Sequence, residues 1–393
     1  MGLFRHMPSL SCPPHPRPSP PARRSSGYGR ARLWLGITAV GTFVTLAGGA
    51  LAAGLPAAVD ARTGPSAWAA VPALALFAAA HAAVQMPFDL FGGYLLPLRY
   101  GRAVPGAATF LVRLARGVAV YAALLFTTLC VLLLGGRFGG VWGVVAAGLA
   151  LSVLLLWGRV AVAAGLARLR VEAPAGDPPV AFASCDDEGF TGGILGVAWP
   201  RGHLLPARWR DALTPEQLAH ARLRRELAVA MGAWRRGRIL AVLFTLAGVG
   251  GAAAVVGPAR LGTAGGTIEL SLWFTLWSFA GLLVLPTVSR RGVVEVDAHA
   301  RTSGAPDAVT AATVSALDAL QDDEPERPGV VEAIFHPVPS VRNRSAATGA
   351  TPRGGWDAAR TAVFLGLAGG GLLGRAVHCN CGRPALWAFL PVD

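Results

Sequence analysis

Glu226 is the residue of this chain best placed to do chemistry. It sits in Arg225-Glu226-Leu227-Ala228-Val229, after a helix-start signal and before a membrane-length apolar run. A helix glutamate can act on a water whose pKa a bound metal has lowered. Such a metal takes two donors four residues apart on one helix face and a third from elsewhere. Positions 225 and 229 flank Glu226 at that spacing, but they are arginine and valine. A guanidinium stays protonated and opposes a dication, and valine has no lone pair. The other donors are scattered: His203, His220, His299, Glu295, Asp297 and Cys185. His220 and Glu226 are six apart, and Asp297 and His299 two apart, so neither pair shares a helix face. His378-Cys379-Asn380-Cys381 has metal-binding residue types, though Cys-x-Cys alone is a weak signal. His81 and Gln85, four apart in an apolar run with Asp89 just beyond, could face a cavity.

The elements around Glu226 can be read locally. Val180–Ser184 reads as a strand, Asp186–Gly189 as a turn, and Gly192 to Leu205 as a return strand interrupted at Pro200-Arg201-Gly202. Thr214, Pro215 and Gln217 form a capping box with proline where a helix tolerates it. The helix should run through Glu226 toward the next apolar run. Arg222 and Glu226 lie four apart and can pair, worth about 0.3–0.5 kcal/mol if exposed.

A hairpin, Leu213-Thr214-Pro215-Glu216-Gln217, a helix carrying Glu226 and then a span resemble the integral-membrane zinc peptidases that include the CAAX prenyl endopeptidase and HtpX. In that family the helix carries His-Glu-x-x-His. The matching positions here are Arg225, Glu226 and Val229, and the capping signal lies about one residue off the family spacing. Ser289-Arg290-Arg291-Gly292-Val293-Val294-Glu295-Val296-Asp297 resembles the family's Ser-Arg-Arg-x-Glu-x-x-Ala-Asp helix. Val293 stands where the third zinc ligand would be, and Asp297 matches the aspartate. His336-Pro337, with Ser340 and Arg342 or Arg344, resembles the family's His-Pro-Ser…Arg close. Tyr94 to Arg102 resembles a juxtamembrane segment, so the likeness covers roughly residues 85–345. It implies a mostly α, polytopic helical membrane protein with a small α+β cytoplasmic peptidase-like domain built from two segments. It supplies none of the three zinc ligands, so no metal or cofactor is expected at that position.

Composition agrees with a membrane setting. The 393 residues are 53% hydrophobic and 15% charged, too apolar for an ordinary soluble domain. All the basic charge is arginine, with no lysine, and the Ala, Gly and Pro richness suggests a GC-rich genome. The net charge of +13 lies beside apolar runs without interleaved aromatics, which argues against nucleic acid. Five scattered cysteines imply no disulfide framework. Cys12 follows no apolar stretch, and His6 leaves the Gly2 myristoylation pattern incomplete.

Six spans are expected, at about Leu33–Leu55, Ala67–Met86, Val118–Leu134, Val141–Trp157, Ile239–Val256 and Leu270–Leu285. Thr361–Leu373 is short and fits an interfacial or re-entrant segment. The division is a disordered basic tail (1–31), a four-span region (32–159), a peptidase-like segment (160–237), spans five and six (238–286), a second peptidase-like segment (287–360) and a short apolar segment with its tail (361–393). Arginines crowd the N-terminus, the second–third and fourth–fifth connections and the stretch after span six. The positive-inside rule then puts both termini and all large loops in the cytoplasm, at a bacterial inner membrane.

Three functions follow as expectations. The first is an inactive relative of the peptidases with a binding or regulatory role, in which Glu226 is vestigial and Asp297 and His336 are structural. It would bind the lipid bilayer and a peptide or membrane-protein partner, by strand addition at the hairpin edge. The second is an active zinc endopeptidase with other ligands. The third is a small-molecule transporter, for which no broken span or buried charge gives a clear sign.

Overall fold

The structure is a computed structural model and describes residues 27–64, 66–347 and 353–391. Gly2, His6, Cys12, Arg17, Arg23 and Arg24 lie outside the described residues. Helix α1 (Tyr28–Ala52) begins inside the stretch read as a disordered tail. Then come α2 (Leu55–Thr63), α3 (Ala67–Leu90), a π-turn (Phe91–Leu95), α4 (Leu96–Arg99), α5 (Ala107–Trp157) and α6 (Arg159–Ala167). A small sheet, β1 (Arg170–Val171), β2 (Val180–Ser184), β3 (Gly193–Gly196) and β4 (Pro200–Pro206), leads through α7 (Trp209–Ala212) to α8 (Pro215–Ala230). The remainder is helical: α9 (Ala233–Val256), α10 (Ala264–Thr302), α11 (Asp307–Gln321), α12 (Gly329–Phe335), α13 (Val341–Ala346), α14 (Ala358–Leu365) and α15 (Pro384–Ala388).

Among the described residues, five helices are long and apolar enough to cross a membrane: α1, α3 with its π-turn and α4, α5, α9 and α10. The chain is a mostly helical membrane protein. The stretches read as spans three and four form one continuous element, α5, broken at Gly140, whose φ of 54° and ψ of −138° are non-helical. Its two arms fold back on each other there. A Cβ on Gly135 would stand 2.6 Å from the Gly143 carbonyl oxygen and 3.1 Å from the Ala147 side chain. In a straight helix, residues 135 and 147 would be about 18 Å apart. Trp68, Phe138 and Trp142, at helix ends, are more than 80% exposed, as aromatic belts at a membrane interface require.

Strand pairing differs from the expected hairpin. The sheet order is β1-β2-β4-β3, and β2 runs parallel to β4. The antiparallel hairpin is β3–β4, reversing across Val197–Trp199 next to Gly196 at φ +127°. The turn residue that matters is therefore Gly196, and Pro200-Arg201-Gly202 starts β4 instead of interrupting it. The Asp186–Gly189 bend is held against the end of the chain by Arg383, whose Nε donates to Asp187 Oδ2 at 2.7 Å.

Residues 353–391 enter the helical bundle and are almost wholly buried in it. The apolar stretch Thr361–Leu373 neither crosses nor lies on the surface: α14 and a 3-10 turn lead to a reversal at Gly370. Glycines of the surrounding helices admit this segment. A Cβ on Gly36 would meet the His378 backbone nitrogen at 2.5 Å, one on Gly92 the Cys381 carbonyl oxygen at 2.6 Å, and one on Gly292 the Trp356 nitrogen at 2.6 Å. Lipid tails give helices no hydrophobic reason to associate, so close approach and polar contacts must hold such a bundle together. The polar contacts come from α3, where His81, Gln85 and Asp89 line one face. His81 Nε2 lies 3.0 Å from the Leu372 carbonyl oxygen, and Gln85 Nε2 donates to the Arg375 carbonyl oxygen at 3.3 Å. Asp89 pairs with Arg375 and accepts from the Gly382 nitrogen at 2.8 Å. The polar face of α3 thus meets the buried segment 353–391.

Candidate functional site

Helix α8 begins as its sequence directs. Thr214 Oγ1 accepts from the Gln217 nitrogen at 3.3 Å, and Gln217 Oε1 accepts from the Thr214 nitrogen at 2.9 Å. The helix ends at Met231, and Gly232 at φ 70° separates it from α9. Its inward face carries His220, Ala221, Arg224, Arg225 and Ala228. Glu226 is off that face. It accepts from Arg222 Nε at 2.6 Å, and both side chains are about one-third exposed (39% and 33%).

Arg225 is fully buried. Its Nη1 donates to the Leu204 carbonyl oxygen at 2.7 Å and its Nη2 to that of Thr191 at 2.6 Å, tying α8 to the sheet. Val229 packs at the edge of an apolar cluster that contains Val293, Ala228, Val296, Ile194, Trp234 and Trp356. The structure thus brings positions 229 and 293 into one hydrocarbon cluster. Zinc does not fit the residues present there, since this cluster offers no nitrogen, oxygen or thiolate side-chain donor to a cation.

The polar centre of this region lies one residue along. Asp297 on α10 is fully buried between two arginines. Arg224 Nε donates to Oδ1 at 2.6 Å, while Arg344 Nε donates to Oδ2 at 2.7 Å and its Nη2 to Oδ1 at 3.1 Å. Arg344, one of the two arginines singled out in the closing motif, is therefore the one that reaches the aspartate. Burial, reinforced by Arg224, pushes His220 beside this network down to about 4. Glu295 faces away, paired with Arg236 at 2.8 Å and accepting from the Gly354 nitrogen.

His336 lies elsewhere. It ends α12, is 3% exposed, and faces His378 with ring centroids 5.2 Å apart. Asp322, which ends α11, joins them. One ring nitrogen from each histidine and a carboxylate oxygen of Asp322 all lie within 4.8 Å of one another. Arg32 Nη1 donates to Asp322 Oδ1 at 3.2 Å, and Arg327 Nη2 to Oδ2 at 3.5 Å. These arginines outweigh burial and hold the carboxylate below its usual range. Burial pushes His378 down to about 3, and burial aided by Arg327 pushes His336 well below its ordinary value. Asp318, on the next turn back, is pushed up to about 6 by burial.

Sequence reasoning named His336 and the His378 motif separately and did not join them. Asp322 sits in an acidic run that reads as a solvated turn, and nothing local marks it. Cys379 and Cys381 do not join the histidines. Cys379 Sγ accepts from Arg360, and Cys381 Sγ faces the Ala376 and Val377 carbonyl oxygens. His203 is buried in β4, and His299 lies on the polar end of α10.

No protein-family model matches the chain, and no curated protein matches it.

Proposed function

We propose that the chain is a membrane-embedded relative of the zinc metallopeptidases that does not catalyse hydrolysis and serves a binding or regulatory role. The observation that supports this is the filling of the motif region. Hydrocarbon from Val229, Val293, Val296 and Trp356 and the Arg224–Asp297–Arg344 network occupy the space between α8 and α10. Glu226, the vestigial base, points toward Arg222 and the surface. In this reading α5 crosses twice, which makes six crossings, and the arginine-rich connections support a cytoplasmic location, at a bacterial inner membrane, for the sheet, α8 and α11–α13. An extended peptide or a membrane-protein partner is the ligand class. It does not use the outer edge of the hairpin freely, because the Ile194 carbonyl oxygen on β3 already accepts from Arg238 Nη2 at 3.2 Å.

Two measurements test this reading. Purified full chain in detergent, given unfolded casein and zinc, should show no cleavage above that of Glu226→Gln. Cleavage by the wild type that the variant lacks would make it an active endopeptidase. The resemblance itself is tested by restoring ligands. Arg225→His, Val229→His and Val293→Glu together should add one zinc per chain to a His336→Gln/His378→Gln background. If only the register shifted by one residue (Arg224→His, Ala228→His, Val293→Glu) takes up zinc, the likeness stands with a different alignment. If neither folded variant does, it fails.

A further inference from the structure

The cluster of Asp322, His336 and His378 is independent of the motif helix and joins three distant parts of the chain. Asp322 closes α11, His336 closes α12, and His378 belongs to the segment buried in the bundle. Each is held from behind. Gly36 on α1 lets the His378 backbone approach, and Arg32 Nη2, one turn earlier, donates to the His378 carbonyl oxygen at 3.0 Å. The His336 nitrogen donates to the Glu332 carbonyl oxygen at 3.2 Å. The backbones of His336 and His378 are thus fixed by contacts outside the cluster, and the Asp322 carboxylate by Arg32 and Arg327.

The side chains are under-used. Nε2 of His336 and Nε2 of His378 are both buried without a hydrogen-bond partner. A buried polar atom left unpaired costs about 1–3 kcal/mol, so two on facing rings call for a ligand. A cavity of about 20 Å³ lined by Asp318, Asp322, Arg327, His336 and Arg360 opens beside them, room for one water.

We propose that Asp322, His336 and His378 bind a divalent first-row transition metal, with zinc the representative ion, and that the metal fastens the C-terminal segment to α11 and α12. Two imidazoles and one carboxylate with a fourth position open to water form a recurrent set for zinc or ferrous iron. Tetrahedral zinc spaces its ligand atoms at about 3.3 Å, so donors already within 4.8 Å need to close by about 1.5 Å at most. The arginines do not exhaust the carboxylate. It offers about four lone-pair sites, and Arg32 and Arg327 take one on each oxygen. They act as outer partners that orient the ligand. Arg32, Arg327 and Arg360 face Asp318, Asp322 and Glu324 across the site, so the ion enters a region of balanced charge.

This inference does not rest on the peptidase likeness, and the experiment separates the two. Metal-free full chain in detergent is titrated with Co²⁺ and with Zn²⁺, and bound metal is counted after gel filtration. The expected result is one ion per chain, with a visible cobalt absorption band typical of low coordination. Glu226→Gln should bind equally well. His336→Gln and His378→Gln should each weaken zinc by more than about 100-fold, exceeding the usual loss from an outer partner. Zinc should raise the melting temperature of the wild type and not that of the double variant. A folded wild type that takes up neither ion overturns the proposal, whatever the variants do. So does a folded double variant that keeps full stoichiometry. Loss on Glu226→Gln with retention in the histidine variants would return the metal to the motif helix and overturn both this site and the inactive reading.

Discussion

The two polar clusters beneath the bundle are built from similar residues and reach opposite states. Around Asp297, two arginines donate to one carboxylate, and the adjoining space is filled with valine and tryptophan. Around Asp322, two arginines also reach one carboxylate, but two imidazoles face it with buried nitrogens unpaired. The first arrangement is closed: every favourable contact of Asp297 is made within the protein. The second is open. A facing pair of imidazoles makes the difference: the unpaired Nε2 of His220 beside Asp297 stands alone, whereas His336 and His378 face each other and Asp322 with lone pairs that no neighbouring guanidinium can use. Counting acids and bases would score the two alike, whereas their lone pairs show which one can take a ligand.

The contrast is sharpest at Asp297. Asp297→Ala leaves Arg224 and Arg344 buried without their partner, and removing one side of such a network costs about 3–5 kcal/mol. The variant should fail to purify as a monodisperse species, or melt many degrees lower by thermal-shift assay. Replacing Arg224, Asp297 and Arg344 together with apolar residues of similar volume should restore much of the loss. If Asp297→Ala melts like the wild type, the closed cluster is not structural.

Gly36 probes the open cluster from behind. Gly36→Val places side-chain atoms on the His378 backbone, an overpacking cost of about 1–3 kcal/mol. It should also expose Cys379 and Cys381 to a membrane-permeant thiol reagent, read by mass spectrometry against Cys130. Unchanged labelling with unchanged stability would mean the C-terminal segment is not seated there.

A smaller effect is a pH dependence at the closed cluster. His220 sits beside Arg224, Asp297, Arg344 and Arg301, and its folded pKa of about 4 lies below its ordinary 6.5. The unfolded chain therefore binds the extra proton first, and stability falls as pH drops from about 6.5 toward 4. His220→Gln should flatten that part of a melting-temperature profile, and an identical slope in the variant would refute it. The smallest change belongs to Glu226→Ala. It breaks a pair about one-third exposed and should shift stability by less than about 0.5 kcal/mol in guanidinium-free thermal scans. A larger loss would give Glu226 a role that its contacts do not show.

The legible features were those with local causes. The Thr214–Gln217 capping box, the Arg222–Glu226 pair and the apolar runs follow from near neighbours and from length. The reversal at Gly140 was legible only as a gap between two runs. Strand pairing was not legible, because Gly196 and the residues that tie the Asp187 bend to Arg383 decide it from a distance. The metal-ligand arithmetic looked for donors four apart on one helix. Asp322, His336 and His378 instead meet because the ends of α11 and α12 converge on the buried segment that carries His378, and that spacing has no signature. His81, Gln85 and Asp89 showed a polar face, but its partner lies almost three hundred residues later.

That late partner bears on biosynthesis. Every helix that walls in residues 353–391 leaves the ribosome before the segment it encloses. The close approaches at Gly36, Gly92 and Gly292 therefore cannot form until residues 353–391 have been made. A nascent chain stalled just short of Trp356 should lack this packing and be digested by added protease faster than the chain that carries residues 353–391.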